Sequence, residues 1–238
     1  LKAASRDAGV LFIVLNHAGD VMSGNMAMEM AQKEGVKIAK VLTCEDISGA
    51  PEDRRGLVGC LFVIKAAGAA AEAGKSLEEC TAIAQRMADN MRTLAVAVSG
   101  ATHPSTGDVI AEIPDEVMVV GMGQHGEAGG GTQPLKTADE TAEIMLEALL
   151  ADLKVQSGEE VAVMLNGVGA TTLMELYLVL RKVKQLLEAK GITLVHSLVG
   201  EYLTVQEMGG FQMCIARVDA ELKALLKAPA SSPALTVK

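Results

Sequence analysis

Short apolar runs bounded by Gly, Asn or Asp alternate along the chain with longer stretches of helical periodicity, which is the pattern of an α/β protein with crossover connections. Residues 9–15 read as a buried strand ending at Asn16-His17-Ala18-Gly19-Asp20; a helix over 22–34 follows, and 37–42 is the next strand. These three make one βαβ unit. Residues 43–56 carry Asp, Glu, Ser, Pro and Gly with little apolar content and read as an exposed loop. An Ala-rich helix over 57–72 comes next, and Ser76 with Glu79 forms a capping-box pattern that starts another helix reaching about residue 91. Two helices in succession mark a change of layer, so the chain is divided into residues 1–92 and 93–238.

The second half opens with a strand-like run, 94–98, and a turn-rich stretch, 99–107. A strand over 117–120 leads into Gly121-Met122-Gly123-Gln124-His125-Gly126-Glu127-Ala128-Gly129-Gly130-Gly131, too rich in glycine for the interior of a helix or strand. A helix boxed by Thr137 and Glu140 runs to about 153, then come a strand over 160–165, a loop over 166–170 and a helix to 190. A strand over 193–197 and a strand pair around 211–218 complete the domain, and the Pro-, Ser- and Ala-rich tail 228–238 reads as extended on the surface.

Half of the 238 residues are apolar, enough for a sizeable core. With three Phe, two Tyr and no Trp, that core is built from aliphatic residues and the thirteen Met, and Met22, Met26 and Met30 at helical spacing read as core filling. The scarcity of aromatic platforms and a net charge of −9 argue against nucleic acid and against anionic lipid as partners. The apolar stretch 10–15 is too short to cross a bilayer, and the reading is a cytoplasmic protein. Cys44, Cys60, Cys80 and Cys214 lie far apart with no CxxC pair, which reads as buried reduced thiols and offers no metal site.

Gly121 to Gly126 fits G-x-G-x-x-G after a strand. A dinucleotide fingerprint opens directly into a helix, whereas here more glycine and Pro134 intervene, so the pattern is read as something else. What the loop offers is an imidazole, His125, on uncrowded backbone that a small ligand can approach. Asp20 lies just past a strand's C-terminal end, where open α/β sheets place ligands, although a helix N-cap is an equal reading. Asn166-Gly167-Val168-Gly169-Ala170-Thr171-Thr172 has phosphate-cradle composition without the lysine of a P-loop, and a tight structural turn is favoured. His17, His103 and His196 show no ligand spacing and take surface or satisfied polar roles.

Several segments together resemble the K subunit, or K domain, of dihydroxyacetone kinases. They are Asn16 to Asp20, Arg54-Arg55-Gly56-Leu57-Val58-Gly59, Gly68 to Leu77, Gly123-Gln124-His125-Gly126-Glu127, Pro134-Leu135, Leu165 to Thr171, and the closing Ala228-Pro229 and Pro233-Ala234-Leu235. The likeness runs in order over nearly the whole chain. It implies mixed and parallel sheets flanked by helices in two lobes. It also implies that the histidine matching His125 holds the substrate as a covalent hemiaminal and that the aspartate matching Asp20 handles the proton of the hydroxyl to be phosphorylated. Gly19, Gly123, Gln124, Gly126 and Glu127 border the substrate on this reading, and Glu127 is our own candidate for fixing the other ring nitrogen of His125. An imidazole nitrogen adds to a carbonyl and not to an alcohol, so capture of this kind accepts short ketoses and rejects glycerol.

The family's N-terminal portion, with a glycine-serine-glycine-histidine loop, has no counterpart in the sequence, so an N-terminal K-half chain is expected as partner, either as a second polypeptide of a split K subunit or as the other piece of a cleaved one. Gln124 stands where an aliphatic residue is common, Ala128 where proline is usual, and His17-Ala18 where Tyr-Thr is common. The partner expected is a short ketose such as dihydroxyacetone, and because these changes border the pocket they point to a related sugar such as a tetrulose rather than dihydroxyacetone itself. No acidic nucleotide-binding cluster follows Val218, so no cofactor is expected in this chain: Mg-ATP, or a regenerated ADP, belongs to a separate L-type subunit in an oligomer. A non-catalytic K-like regulator or co-activator is the alternative.

Overall fold

The structure is a computed structural model that describes residues 1–123 and 131–238. Its first unit is β1 (Val10–Leu15), α1 (Ala18–Lys33) and β2 (Ile38–Thr43), with β1 and β2 paired in parallel. The helices α2 (Cys60–Glu72) and α3 (Leu77–Asp89) follow, then β3 (Met91–Ala97), a short hairpin of β4 (Ala101–Thr102) and β5 (Val109–Ile110), β6 (Val117–Val120) and β7 (Thr132–Pro134). The rest is α4 (Ala138–Leu153), β8 (Glu160–Gly167), α5 (Leu173–Ala189), β9 (Thr193–Gly200), β10 (Gly210–Arg217), α6 (Ala220–Lys227) and a terminal hairpin of β11 (Ala230–Ser231) and β12 (Thr236–Val237).

The larger sheet has the order β7-β6-β3-β10-β8-β9, antiparallel except for the β8–β9 pair. Its strands alternate sides as a pleat requires. On β8 and β10, Val161, Val163, Leu165, Phe211, Met213 and Ile215 meet α4 and α5 in one cluster, while Ala162, Met164, Cys214 and Ala216 meet α2, α3 and α6 in another. That second cluster also takes in Val41 of β2 and the inward side chains of Leu11 and Ile13 on β1. The α2–α3 layer thus lies between the two sheets, with α1 on the outer face of the β1–β2 pair, where Phe12 and Val14 close on Gly24. The hydrophobic contacts run without a break across residue 92, the position at which the sequence was divided.

Four expectations are corrected. Met22, Met26 and Met30 are not core: they are 66%, 61% and 64% exposed, because Gly24 and Ala31 form the buried face of α1 and the methionines ride opposite it. Residues 211–218 are one strand and not a pair; β10 takes a central place in the sheet and is followed by α6, whose cap is Asp219 accepting from the Leu222 N–H. The tail folds as the β11–β12 hairpin and closes, with Leu61, Ile64, Ala69 and Tyr202, an apolar cavity of about 880 Å³. Cys44 is exposed, although Cys60, Cys80 and Cys214 are buried, and all four are free thiols.

The expected open loop 43–56 is also different. Thr43, Glu45, Asp46 and Arg54 are buried, and the segment joins the edge of β3 through Thr93 N–H to Glu45 O and Ile47 N–H to Thr93 O. Polar composition misleads here because its charges satisfy one another inside: Arg55 donates from Nε and Nη2 to Asp46, Arg54 forks onto Asp152 of α4, and Arg92 donates to the same carboxylate.

Candidate functional site

Asp20 occupies the first turn of α1, and the residue at the N-cap is His17, so the capping role that the sequence left open for Asp20 falls elsewhere. Its place in that first turn exposes a carboxylate to the favourable end of the helix dipole. Asp20, Ser23, Gly24 and Ala27 of α1, the run Phe12 to Leu15 and Leu203 line a groove of about 510 Å³ along β1. Gly19 precedes Asp20 with nothing within 4 Å of where a side chain would start, so the approach to the turn is open.

Two bridges run from this strand end toward the glycine loop. Asn16 Nδ2 donates to Arg54 O, and His17 Nε2 lies 2.8 Å from Gly56 O, so the two residues after β1 hold the backbone of 54–56. Arg55 of that segment reaches Gly121 O at 3.4 Å, at the point where the chain leaves β6. The close fit explains Gly56 and Gly59: a Cβ on Gly56 would sit 2.7 Å from Thr43 O and 2.9 Å from Asn16 N, and one on Gly59 would strike the Glu45 carboxylate. The second bridge is the segment after β9. Asn166, fully buried, accepts from the Tyr202 and Leu203 N–H groups and donates to Leu203 O, which places Leu203 in the Asp20 groove; Val205 packs with the buried Met122.

The glycine loop begins at Gly121 (φ +85°) and returns at Gly131 (φ +115°), both in a region open to glycine, and Val120 N–H donates to Gly131 O. β6 and β7 are therefore the two arms of an antiparallel hairpin, and no helix follows the loop as a dinucleotide fingerprint demands. Of the site residues expected there, Gly123 is buried, while Gln124, His125, Gly126 and Glu127 lie outside the described residues. The segment 166–172 is structural: its polar groups are spent on the 202–203 backbone and on Gly210 N–H, which Thr171 Oγ1 accepts, and Gly169 has Gln206 O where a Cβ would stand.

The electrostatics concentrate beneath the 54–59 turn, a cluster that sequence reasoning missed. Burial pushes the Glu45 carboxyl up to about 8, opposed in part by the Leu57 N–H, which donates to Oε1 at 2.8 Å. Asp152 goes the other way: burial would raise it, but bonds from Arg54 and Arg92 outweigh that and hold it below the usual carboxylate range. His196 is lowered by burial, with Lys227 and Lys65 adding repulsion. Among the described residues no group of three or more His, Cys, Asp or Glu could hold a metal ion, and no helix is long and apolar enough to cross a membrane.

Residues 1–234 match the family model described as the Dak1 domain. The chain belongs to the Dak1 domain family. It is 38% identical over 235 residues, 98% of this chain and 71% of the relative, to the dihydroxyacetone-binding subunit DhaK of PTS-dependent dihydroxyacetone kinase 2 from Listeria innocua. It is 39% identical to an L-erythrulose kinase of Pectobacterium atrosepticum, over 98% of this chain and 41% of that one. Among solved structures, the dihydroxyacetone kinase operon co-activator Dha-DhaQ superposes with TM-score 0.90 at 26% identity over 96% of this chain and 72% of that one. The dihydroxyacetone kinase of C. freundii does so with TM-score 0.84 at 29% identity, over 95% and 42%. The mixed α/β fold is that of these two solved structures.

Proposed function

We propose that this chain is the substrate-binding K component of a short-ketose kinase. A nitrogen of neutral His125 adds to the ketone carbon, the carbonyl electron pair moves to oxygen, and the proton lost from the ring's other nitrogen ends on that oxygen, giving a neutral hemiaminal. The substrate's terminal hydroxyl then attacks the terminal phosphorus of a nucleotide presented by an L-type partner subunit; the bond to the leaving diphosphate breaks as Asp20 accepts the hydroxyl proton. Gly19, Gly123, Gln124 and Gly126 border the bound ketose, and Glu127 orients the imidazole.

The observation that carries this reading is the 54–56 bridge, held by Asn16 and His17 beside Asp20 and reaching through Arg55 to Gly121 at the root of the His125 loop. Identity does not choose between a triose and a tetrulose, since the relatives named for dihydroxyacetone and for erythrulose are 38% and 39% identical. The departures at Gln124, Ala128 and His17-Ala18 favour the tetrulose.

The capture step is tested by intact mass after incubation with dihydroxyacetone or erythrulose, without reductant. Adduct is expected in the wild type and none in His125→Ala; equal adduct in both removes His125 from the mechanism. A second reading, a K-like regulator, draws support from the co-activator superposition. Mixing the chain with an L-type subunit, the remaining K portion, Mg-ATP and ketose separates the two: adduct without phosphorylated product selects the regulator.

A further inference from the structure

Four side chains hold the 54–59 turn from beneath. Asn16 donates to Arg54 O and His17 Nε2 lies on Gly56 O, while the buried Gln212 of β10 accepts from Val58 N–H at 3.0 Å and Glu45 accepts from Leu57 N–H at 2.8 Å. Glu45 differs from the other three: it is an acid with no exposure at all, and its Oε2 has no hydrogen-bond partner among the described residues. The carboxyl is pressed against the start of α2, where a Cβ on Gly59 would stand 2.7 Å from Oε1. The nearby cations are spent elsewhere, Arg55 on Asp46 and Ser48, and Arg54 and Arg92 on Asp152. The other titratable groups around it are Cys44 and Asp46 on its own segment, Cys60 on α2 and Cys214 on β10. Burial raises all three thiols, so they stay neutral, and Asp46 repels a second negative charge. An ionised carboxylate here is desolvated and uncompensated, whereas a neutral acid costs far less.

We infer that Glu45 is a positioning residue for the ketose site: as a neutral acid it keeps the 54–59 turn where Asn16, His17 and Arg55 tie the Asp20 strand end to Gly121, and its ionisation weakens ketose binding. The ketose part rests on the K-component reading; the hold on the turn does not. Leu57 directly follows Gly56, so a carboxylate that draws water beneath Leu57 shifts both the carbonyl on which His17 rests and the Arg55 that reaches Gly121 O. Burial carries the Glu45 carboxyl up to about 8, which places its ionisation in the mildly alkaline range. The sign is opposite to that of the capture chemistry. Addition of a neutral imidazole to a ketone only gains as pH rises past the ordinary histidine value of about 6.5, so an alkaline loss of affinity needs another group, and Glu45 supplies it. When only the protonated form binds, affinity one pH unit above the Glu45 value is about tenfold weaker than one unit below it, because the competent fraction falls in that ratio.

The test titrates dihydroxyacetone and erythrulose against the chain and reads the adduct by intact mass, from one unit below to one unit above a pH of about 8. The wild type is expected to lose about tenfold in affinity across this window. Glu45→Gln keeps an acceptor for Leu57 N–H and cannot ionise, so it should bind as the wild type does at the acid end and stay flat thereafter. In parallel, the amide-exchange protection factors of Leu57 and Val58 should fall in the wild type over the same window and hold in Glu45→Gln, with Val10, bonded to Lys37 O, as the constant reference. Far-UV circular dichroism at each pH separates a loosened turn from a general loss of structure. A wild-type affinity flat across the window, the same decline in Glu45→Gln, or a decline with unchanged protection at Leu57 each overturns the inference. Should Glu45→Gln misfold, wild-type exchange at Leu57 against the Val10 reference decides. No adduct at any pH sinks the K-component reading and the ketose role of Glu45 with it; Leu57 protection that falls nonetheless leaves only the hold on the turn.

Discussion

In the six-stranded sheet, β8 and β10 send alternate side chains into two helical layers, and Val161, Val163, Leu165, Met213 and Ile215 have no exposure at all. In the β1–β2 pair, an equally apolar β1 leaves Leu11, Phe12, Ile13 and Leu15 only partly buried, with α1 turning three methionines to solvent. Composition alone does not separate these regions; the number of covered neighbours does. The larger sheet is where the fold's stability resides, and the smaller one is where the candidate site begins, since its strand end carries Gly19 and Asp20. The sharpest way to break this contrast is Leu165→Ala, expected to cost about 2–5 kcal/mol in urea unfolding of the isolated chain. The same truncation at Leu15 should cost clearly less, and equal costs would show that β1 is as fully covered as β8.

Between the two sheets the 43–59 segment provides a second contrast, one that pH resolves. Burial raises the Glu45 carboxyl from 4.5 to about 8, so the folded chain binds its proton more tightly than the unfolded chain. The stability it contributes is full below 4.5 and is lost as pH rises through about 8. Asp152, held low by Arg54 and Arg92, has the opposite sign, and its contribution is lost as pH falls. The unfolding free energy from urea titration is therefore expected to decline across the Glu45 window, by at most about 1.4 kcal/mol per pH unit. Glu45→Gln, which keeps an acceptor for Leu57 N–H, should flatten that decline; an unchanged slope would mean that Glu45 is ionised in the folded chain.

The regular elements were legible because local chemistry alone decides them. Ser76 with Glu79 and Thr137 with Glu140 both form the reciprocal capping boxes that their spacing announces, and strand 117–120 appears as β6 at the same residues. What was not legible depends on partners distant in sequence. The buried Arg54 of 43–56 looks solvent-bound until it meets Asp152, ninety-eight positions away. Met22, Met26 and Met30 share one face by spacing, but spacing does not say which face is covered; Gly24, against Phe12, settles that. The helix α6 was within reach, since Asp219 and the spacing of Leu222, Leu225 and Leu226 are a cap and an apolar stripe. At the site, the strand ends before Asp20 and before the glycine loop could be read, whereas the returning strand β7 was missed and the 54–56 and 202–205 bridges join segments that no local pattern links.

The smallest expected effect is the most discriminating for the smaller sheet. Met22 is 66% exposed on α1, and Lys has nearly the same helix propensity as Met, so Met22→Lys removes little buried surface and adds no backbone cost. In the isolated chain its effect on the unfolding free energy in urea should stay within about 0.5 kcal/mol, the range of ordinary surface substitutions. A loss above about 1 kcal/mol would mean that the outer face of α1 is already desolvated in solution, as it would be against a second copy of the chain. Such a loss should then grow with protein concentration, because only an association equilibrium links stability to concentration; a loss independent of concentration would place Met22 inside the fold and remove the distinction between the two sheets.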